Sequence, residues 1–451
     1  MPDPYLPTVY PAPLGDRLVC MMRRIGDMQV HAVAELEAPL EFCRLQKAVR
    51  LAMDAEPVLG CRYVNVPTAP YWRRRDDLDD LEHSQMVETT GTKSTSDPNA
   101  LPALRRFLAT PSDPTCDPVL QARLYRDRDR GKDILALKLN HLAGDGAGGK
   151  ETLYLVSRLY EELARNPDHR PSANVHGSRD LDQLYTNLSW RQQVAAWRAL
   201  KRDSWRRVWP PRYIRFATPG ADADVSKVKR DYVFRIIAPE QTRALRRFGR
   251  AMHATLNDVF MAAYWVAVER VLRPAAGAPP RLRFTVDLRR YLPCRRAEAI
   301  CNISGFAYLK LRSDGGGDFR SLVRAVRAET AYQKAHGIGL SDWIWLRTVQ
   351  ASQLNPYIDA IFARIVSNPK PQMASMPTLT NIGVVVPDRV RFDGRTACNA
   401  FVTASVVFPP LLAPALTGYG DRLTLSVGFC DVPGVRSMAE KLLFETVSAL
   451  P

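Results

Sequence analysis

The chain has 451 residues, 46% hydrophobic and 24% charged, a globular composition long enough for two domains or two halves of one large unit. Its 63 basic residues outnumber 47 acidic ones and leave a net charge of +16. That surplus suits an anionic partner without choosing among nucleic acid, a membrane surface, a phosphorylated cofactor or an acidic protein.

The eight cysteines are dispersed, with no CxxC and no Cys/His spacing that fits a zinc site. They read as reduced thiols of an intracellular, cytoplasmic protein. The proline-rich start, Met1 to Asp16, lacks the basic-then-apolar order of a signal peptide.

Along the chain, Leu45, Val49, Leu51 and Met53 mark a helix, and Val58 to Val66 a strand after a turn. Val119 to Tyr125 and Ile134 to Leu139 are further strands. Leu153, Val156, Leu159, Tyr160 and Leu163 recur at helical spacing. The middle, from Asn166 to Asp224, is rich in proline, arginine and tryptophan. There Trp190, Trp197, Trp205 and Trp209 lie among Arg191, Arg198, Lys201, Arg202, Arg206 and Arg207. The expected form is an amphipathic crossover helix with its tryptophans packed inward. Its functional alternatives are docking of an acidic carrier protein, through Arg198, Arg202 and Arg206, or peripheral contact with anionic lipid. Aromatics among arginines also suit nucleic acid, but no matching fold accompanies them, and no nucleic-acid partner is expected.

A strand at Tyr232 to Ile237 follows. Thr255 and Asp258 then form a capping box opening the helix Leu256 to Leu272, apolar almost all round. Strands are expected at Leu282 to Val286, Thr380 to Val386, Phe401 to Phe408 and Leu423 to Phe429. The uncharged stretch Thr396 to Gly420 is long enough for a bilayer, but Pro409, Pro410 and Pro414 would break such a helix. It reads as the buried strand Phe401 to Phe408 followed by an apolar loop.

Chemistry concentrates in Ile134 to Leu163: a strand, then His141-Leu-Ala-Gly-Asp145-Gly146-Ala-Gly-Gly149-Lys150, then a helix. Gly144, Gly146 and Gly149 match a dinucleotide fingerprint, but Glu161 and Glu162 lie on the following helix instead of ending a second strand. Gly144, Gly149 and Lys150 match a P-loop, except that Glu151 stands where Ser or Thr must bind magnesium. The third reading is H-x-x-x-D-G. A histidine at a strand end can aim a neutral imidazole into a cavity and take a proton from an alcohol or amine attacking a carbonyl. Asp145 would pair with a cation and hold the loop, while Gly146 would adopt an unusual backbone conformation and keep the site open. The plainer alternative is a core histidine continuing the face of Leu135, Leu137 and Leu139.

The hexapeptide His141 to Gly146 resembles the H-x-x-x-D-G motif of the chloramphenicol-acetyltransferase-like superfamily. Ala55-Glu-Pro-Val-Leu-Gly-Cys-Arg-Tyr63, Ala254-Thr-Leu-Asn-Asp-Val-Phe-Met-Ala-Ala263, Thr285-Val-Asp-Leu-Arg289, Asn302-Ile-Ser-Gly305 and Thr380-Asn-Ile-Gly383 are similar to that family's other segments, in the family's order. The resemblance implies an α/β fold (a two-layer α+β arrangement) of two similar halves in a V, with a tunnel between them. The expected boundaries are 1–180 for the half with the motif, 181–228 for the basic crossover and 229–451 for the second half.

Further implications concern the site. His141 is the general base, and Asp145, Gly146 and Arg289 are structural, with Asp145 paired to Arg289. Asn302, Ser304 and Asn381 are candidates for the oxyanion or tunnel wall. The co-substrate is acyl-CoA or a phosphopantetheinyl thioester on an acyl carrier protein, and the acceptor a small alcohol or amine. Neither a metal nor a bound cofactor is implied. The sequence departs from condensation domains in having Asn140 before the histidine, and from plant-type enzymes in lacking a D-F-G-W-G segment. The competing reading is a non-catalytic module that only binds an acyl carrier protein.

Overall fold

The computed structural model describes residues 6–66, 69–80, 86–90, 101–127, 131–208, 228–272, 281–311, 318–351, 377–408 and 412–451, with backbone alone at 86–90, 202–208, 281, 346 and 348–351. It is a mixed α/β structure built on two large sheets. The first contains β1 (Gln29–Leu36), β2 (Met86–Thr90), β3 (Leu120–Asp127), β4 (Lys132–Asn140) and, from far along the chain, β9 (Asn399–Thr403). The second contains β5 (Arg230–Ile237), β6 (Arg281–Asp287), β7 (Ser304–Lys310), β8 (Thr378–Val385), β10 (Ala415–Tyr419) and β11 (Arg422–Cys430). Their spatial orders are β9-β1-β4-β3-β2 and β7-β6-β8-β10-β11-β5.

The helices in chain order are α1 (Leu14–Met22), α2 (Phe42–Ala55), α3 (Pro102–Ala109), α4 (Gly146–Arg165), α5 (Asp182–Asn187), α6 (Trp190–Val208), α7 (Pro239–Ala251), α8 (Leu256–Leu272), α9 (Phe319–Ala335), α10 (Leu340–Ala351) and α11 (Val435–Ser448). Strand β1 is buried along its whole length because the sheet is covered on both faces. Val30, Ala32 and Ala34 belong to the core beneath α2 and α4. Val33, on the opposite face, meets Phe107 and Leu108 of α3 and Tyr232 and Phe234 of β5. That second cluster mixes residues of both sheets, so the halves share an apolar seam as well as separate cores.

Strand β9 ties the halves further by pairing antiparallel to β1, Phe401 opposite Val33. Residues 229–451 therefore do not stay with one sheet, and the second half is interrupted where its chain crosses to the first. The expected strand Phe401 to Phe408 is corrected to Asn399–Thr403. Past it the chain turns toward Gly26, which bridges Val407. The expected apolar loop holds strand β10, while Pro409 and Pro410 lie outside the described residues. The strand expected from Val58 begins only at Cys61, because Pro57–Gly60 forms a 3₁₀ turn.

Helix α8 opens as expected: Asp258 accepts from the Thr255 backbone at 2.8 Å while Thr255 Oγ1 accepts from the Asp258 N–H at 3.2 Å. The middle is more regular than its composition suggests, since α6 runs for 19 residues. Its tryptophans correct the expectation of inward packing. Trp190 and Trp197 face outward, whereas Ala196 and Ala199 are the buried residues. The side chain of Trp205 and the whole of Trp209 lie outside the described structure. Among the described residues, no helix is long and apolar enough to cross a membrane.

Candidate active site

His141 stands one residue past β4, where its N–H donates to the Met28 carbonyl at 2.8 Å and the chain turns away. It is only partly buried and borders a cavity of about 240 Å³. Most of the wall is apolar and includes Leu18 and Met22 of α1, Phe306 of β7, Trp343 of α10, Ile382 of β8 and Val407. Residues from both sheets converge here, and Asp145, Gly146, Asn302, Ser304 and Asn381 all border the same space.

The protonation of the ring follows from its neighbours. His141 Nδ1 lies 3.1 Å from Asn302 Oδ1. The Asn302 amide nitrogen donates to the Leu142 carbonyl at 2.8 Å and to Asp16 Oδ1 at 3.2 Å, so the amide oxygen must face the imidazole. Nδ1 therefore carries a hydrogen, and in the neutral ring that leaves the lone pair on Nε2. Behind the amide, Asp16 is fully buried; it accepts from Trp72 Nε1 at 2.7 Å and lies 2.8 Å from Arg179. Burial pushes the Asp16 carboxyl upward, against the opposing charge of Arg179. Gly15 admits this packing, since a Cβ there would meet the Asn302 carbonyl oxygen at 2.9 Å.

Asp145 caps α4 by accepting from Gly148 N at 3.0 Å. Its second oxygen accepts from Arg289 Nη1 at 2.9 Å, Ile303 N at 2.9 Å and Ser304 Oγ at 2.8 Å. Burial alone would raise this carboxyl, but the Arg289 charge and these hydrogen bonds overcome it and hold the group at about 2. Arg289 is raised in turn: Asp145 outweighs the burial that opposes its charge. The guanidinium also donates to the Cys301 carbonyl at 2.9 Å, so the pair is buried and hydrogen-bonded on both sides.

The expectation for Gly146 is corrected in its physics. The residue is outside the left-handed region; an added Cβ would lie 2.6 Å from Ile382 Cδ1, so close packing is what asks for glycine. Of the three oxyanion candidates, Asn302 spends its amide hydrogens on Leu142 and Asp16, and Ser304 spends its hydroxyl hydrogen on Asp145. Asn381 donates one amide hydrogen to Asn257 Oδ1 at 2.7 Å and borders the cavity, with its second amide hydrogen not spent on that bond.

A second chamber of about 420 Å³ shares Thr285, Asp287, Asn381 and Ile382 with the first. Lys150, Arg290, Arg295 and Lys334 border it, a strongly cationic rim. Cys294 and Arg295 both have left-handed backbone, at φ 53° and 54°, uncommon for successive residues other than glycine and characteristic of functional loops. Sequence reasoning missed this rim, as it missed Asp16, Trp72 and Arg179. Nothing in the spacing of these residues connects them; only the fold does.

No protein-family model and no curated relative matches the sequence. Solved structures do match over nearly the whole chain. The first condensation domain of the CDA synthetase shares 16% identity over 98% of this chain and 97% of its own, with a TM-score of 0.66. Polyketide synthase associated protein 5 from Mycobacterium tuberculosis shares 15% over 97% and 98%, with a TM-score of 0.62. The trichothecene 15-O-acetyltransferase from Fusarium sporotrichioides shares 13% over 98% and 95%, with a TM-score of 0.66. At such identities the likeness speaks for architecture, and the chain has the chloramphenicol-acetyltransferase-like fold of condensation domains and acyltransferases.

Proposed function

We propose that the protein transfers an acyl group from a thioester to an alcohol or amine, with His141 as general base. The observation that supports this reading is His141 at the border of an apolar cavity, with its Nδ1 3.1 Å from Asn302 Oδ1. Nε2 takes the proton of the acceptor O–H or N–H as that atom bonds to the thioester carbon. The tetrahedral intermediate then expels the thiolate, and the imidazolium returns the proton to sulfur. Through both steps Asn302 Oδ1 faces Nδ1 and holds the orientation of the ring.

Asn381 is the side chain assigned to the oxyanion, through its second N–H. Asp145 and Arg289 take no proton; they fix the turn that aims His141. The cationic chamber suits a donor that carries phosphate, either coenzyme A or the phosphopantetheine of an acyl carrier protein. The test is single-turnover acyl transfer from an N-acetylcysteamine thioester to a panel of alcohols and amines. His141→Ala should lower the rate by roughly 10²–10⁴-fold with an unchanged melting curve. Turnover at the wild-type rate would remove the mechanism and leave the non-catalytic carrier-binding module as the better reading.

A further inference from the structure

Helix α6 has two faces of opposite character. Inward, Ala196 and Ala199 pack where α6 meets α10, and the Ala195 backbone approaches within 3.4 Å of where a Cβ on Gly337 would lie. Outward, Trp190, Val194 and Trp197 fall at i, i+4 and i+7, one stripe, with exposures of 70%, 39% and 50%. Soluble surfaces scatter such residues singly; two indoles and a valine in line are a patch.

The flanks of the stripe are basic. Arg191 and Arg198 are exposed beside it, the Arg191 guanidinium 5.3 Å from the Trp190 ring centre. From Trp190 to Arg202 the sequence holds four cations and no carboxylate. Exposed indoles flanked by arginine on one convex helix are the pattern of a helix lying in a lipid headgroup layer. Tryptophan's amphipathic ring settles there, and cations meet anionic lipid. A folded protein partner would need some 800 Å² of complementary surface on each side, more than one helical stripe offers.

From these observations we infer that α6 docks the protein on an anionic lipid bilayer, with Trp190, Val194 and Trp197 inserted and Arg191 and Arg198 at the headgroups. The docked helix is one element away from the cavity. It packs on α10, and α10 supplies Trp343 to the cavity wall. Tyr185 of α5 meets the Trp343 ring at 6.0 Å and carries the Arg347 guanidinium 3.5 Å from its ring centre, which fixes α10 against the same support. Carrier-protein docking through Arg198, Arg202 and Arg206 is the competing use of this helix; the side chains of the last two lie outside the described structure.

The experiment is flotation of the full chain with vesicles of phosphatidylcholine alone or mixed with phosphatidylglycerol, read with tryptophan fluorescence. The wild type should partition onto the mixed vesicles about tenfold or more above the neutral ones, with a blue-shifted emission. Trp190→Ser with Trp197→Ser should remove roughly nine-tenths of that binding, and Arg191→Gln with Arg198→Gln should erase the preference for anionic lipid. Both pairs are surface changes, and thermal melting checks that each variant folds. Absence of binding to anionic vesicles overturns the inference, as does binding that both variants retain. Loss of acyl-carrier capture in the tryptophan variant, with no vesicle binding by the wild type, also overturns it and assigns the stripe to a protein.

Discussion

Two histidines, His31 on β1 and His141 just past the end of its neighbour β4, sit in polar clusters of different completeness. Around His141, Asn302 has both amide hydrogens engaged and Asp145 accepts from Arg289, Ile303, Ser304 and Gly148. Around His31, a fully buried residue of β1, the accounting is incomplete. His31 Nδ1 meets Thr403 Oγ1 at 2.8 Å, but Nε2 finds no hydrogen-bond partner among the described residues, and Asp27 Oδ2 and Arg230 Nε face each other as an ion pair at 4.0 Å, too long for a hydrogen bond. Lys138, opposite His31 in the ladder, donates to the Thr110 carbonyl at 2.6 Å. Burial pushes Lys138 down to about 7 against the charge of Asp27, and Asp27 up to about 7 against the charge of Arg230.

The difference separates a buried charge pair in hydrogen-bonded contact from one held 4.0 Å apart. In a low-dielectric interior a fully bonded network specifies a conformation, and a partly bonded one costs stability. His141 is the one of the two that borders a cavity. The perturbed groups near His31 are enclosed in the seam between the sheets.

The sharpest way to break the contrast is to remove one member of the complete pair. Arg289→Ala leaves Asp145 buried without its cation and should cost about 3–5 kcal/mol in urea unfolding. A loss below about 1 kcal/mol would show that the pair does not hold the loop. The same carboxylate sets an acid limit. Its folded value, about 2, lies below the ordinary 3.8, so its stabilisation is present above about pH 4 and disappears as pH falls toward 2. Asp145→Asn should flatten that part of the curve.

Next in size is Asn302→Ala, which removes the acceptor at Nδ1 while leaving His141 in place. Turnover should fall roughly ten- to hundredfold with KM little changed. An equal rise in KM would make Asn302 a binding residue instead. In the incomplete cluster the readout is stability against pH instead of turnover. The lowered Lys138 penalises the fold fully below about pH 7, and the penalty fades as pH rises toward the ordinary 10.5. Wild-type stability should therefore climb across that window, and Lys138→Met should abolish the climb. Smallest is Gly146→Ala: its Cβ meets only the far end of Ile382, a cavity residue, so KM should shift by a few-fold with little loss of stability.

Much of this was legible in the sequence where the signal is local. Periodicity marked β4 and α4, and the hexapeptide between them marked His141 and Asp145. Arg289 came from the resemblance alone, because 144 residues separate it from Asp145. Asp16 left no trace: its link to Asn302 spans 286 residues, and a lone aspartate in a proline-rich start has no pattern to read. β9 reads as a continuous apolar run because both faces are covered, so its length and its place in the other sheet were hidden. On α6 the tryptophans looked like core because large apolar residues are usually buried, yet the small alanines make that contact.

The central claim is a proton position, Nδ1–H with Nε2 free on His141, and nitrogen-15 NMR of the histidine-labelled protein reads it directly. Seven histidines keep the spectrum assignable, with His141→Asn identifying the resonance. In the neutral ring the account predicts a protonated Nδ1 and a bare Nε2, and a mixture of tautomers in Asn302→Ala. A wild-type ring protonated on Nε2 would contradict it, because the nitrogen assigned to take the acceptor's proton would already hold one.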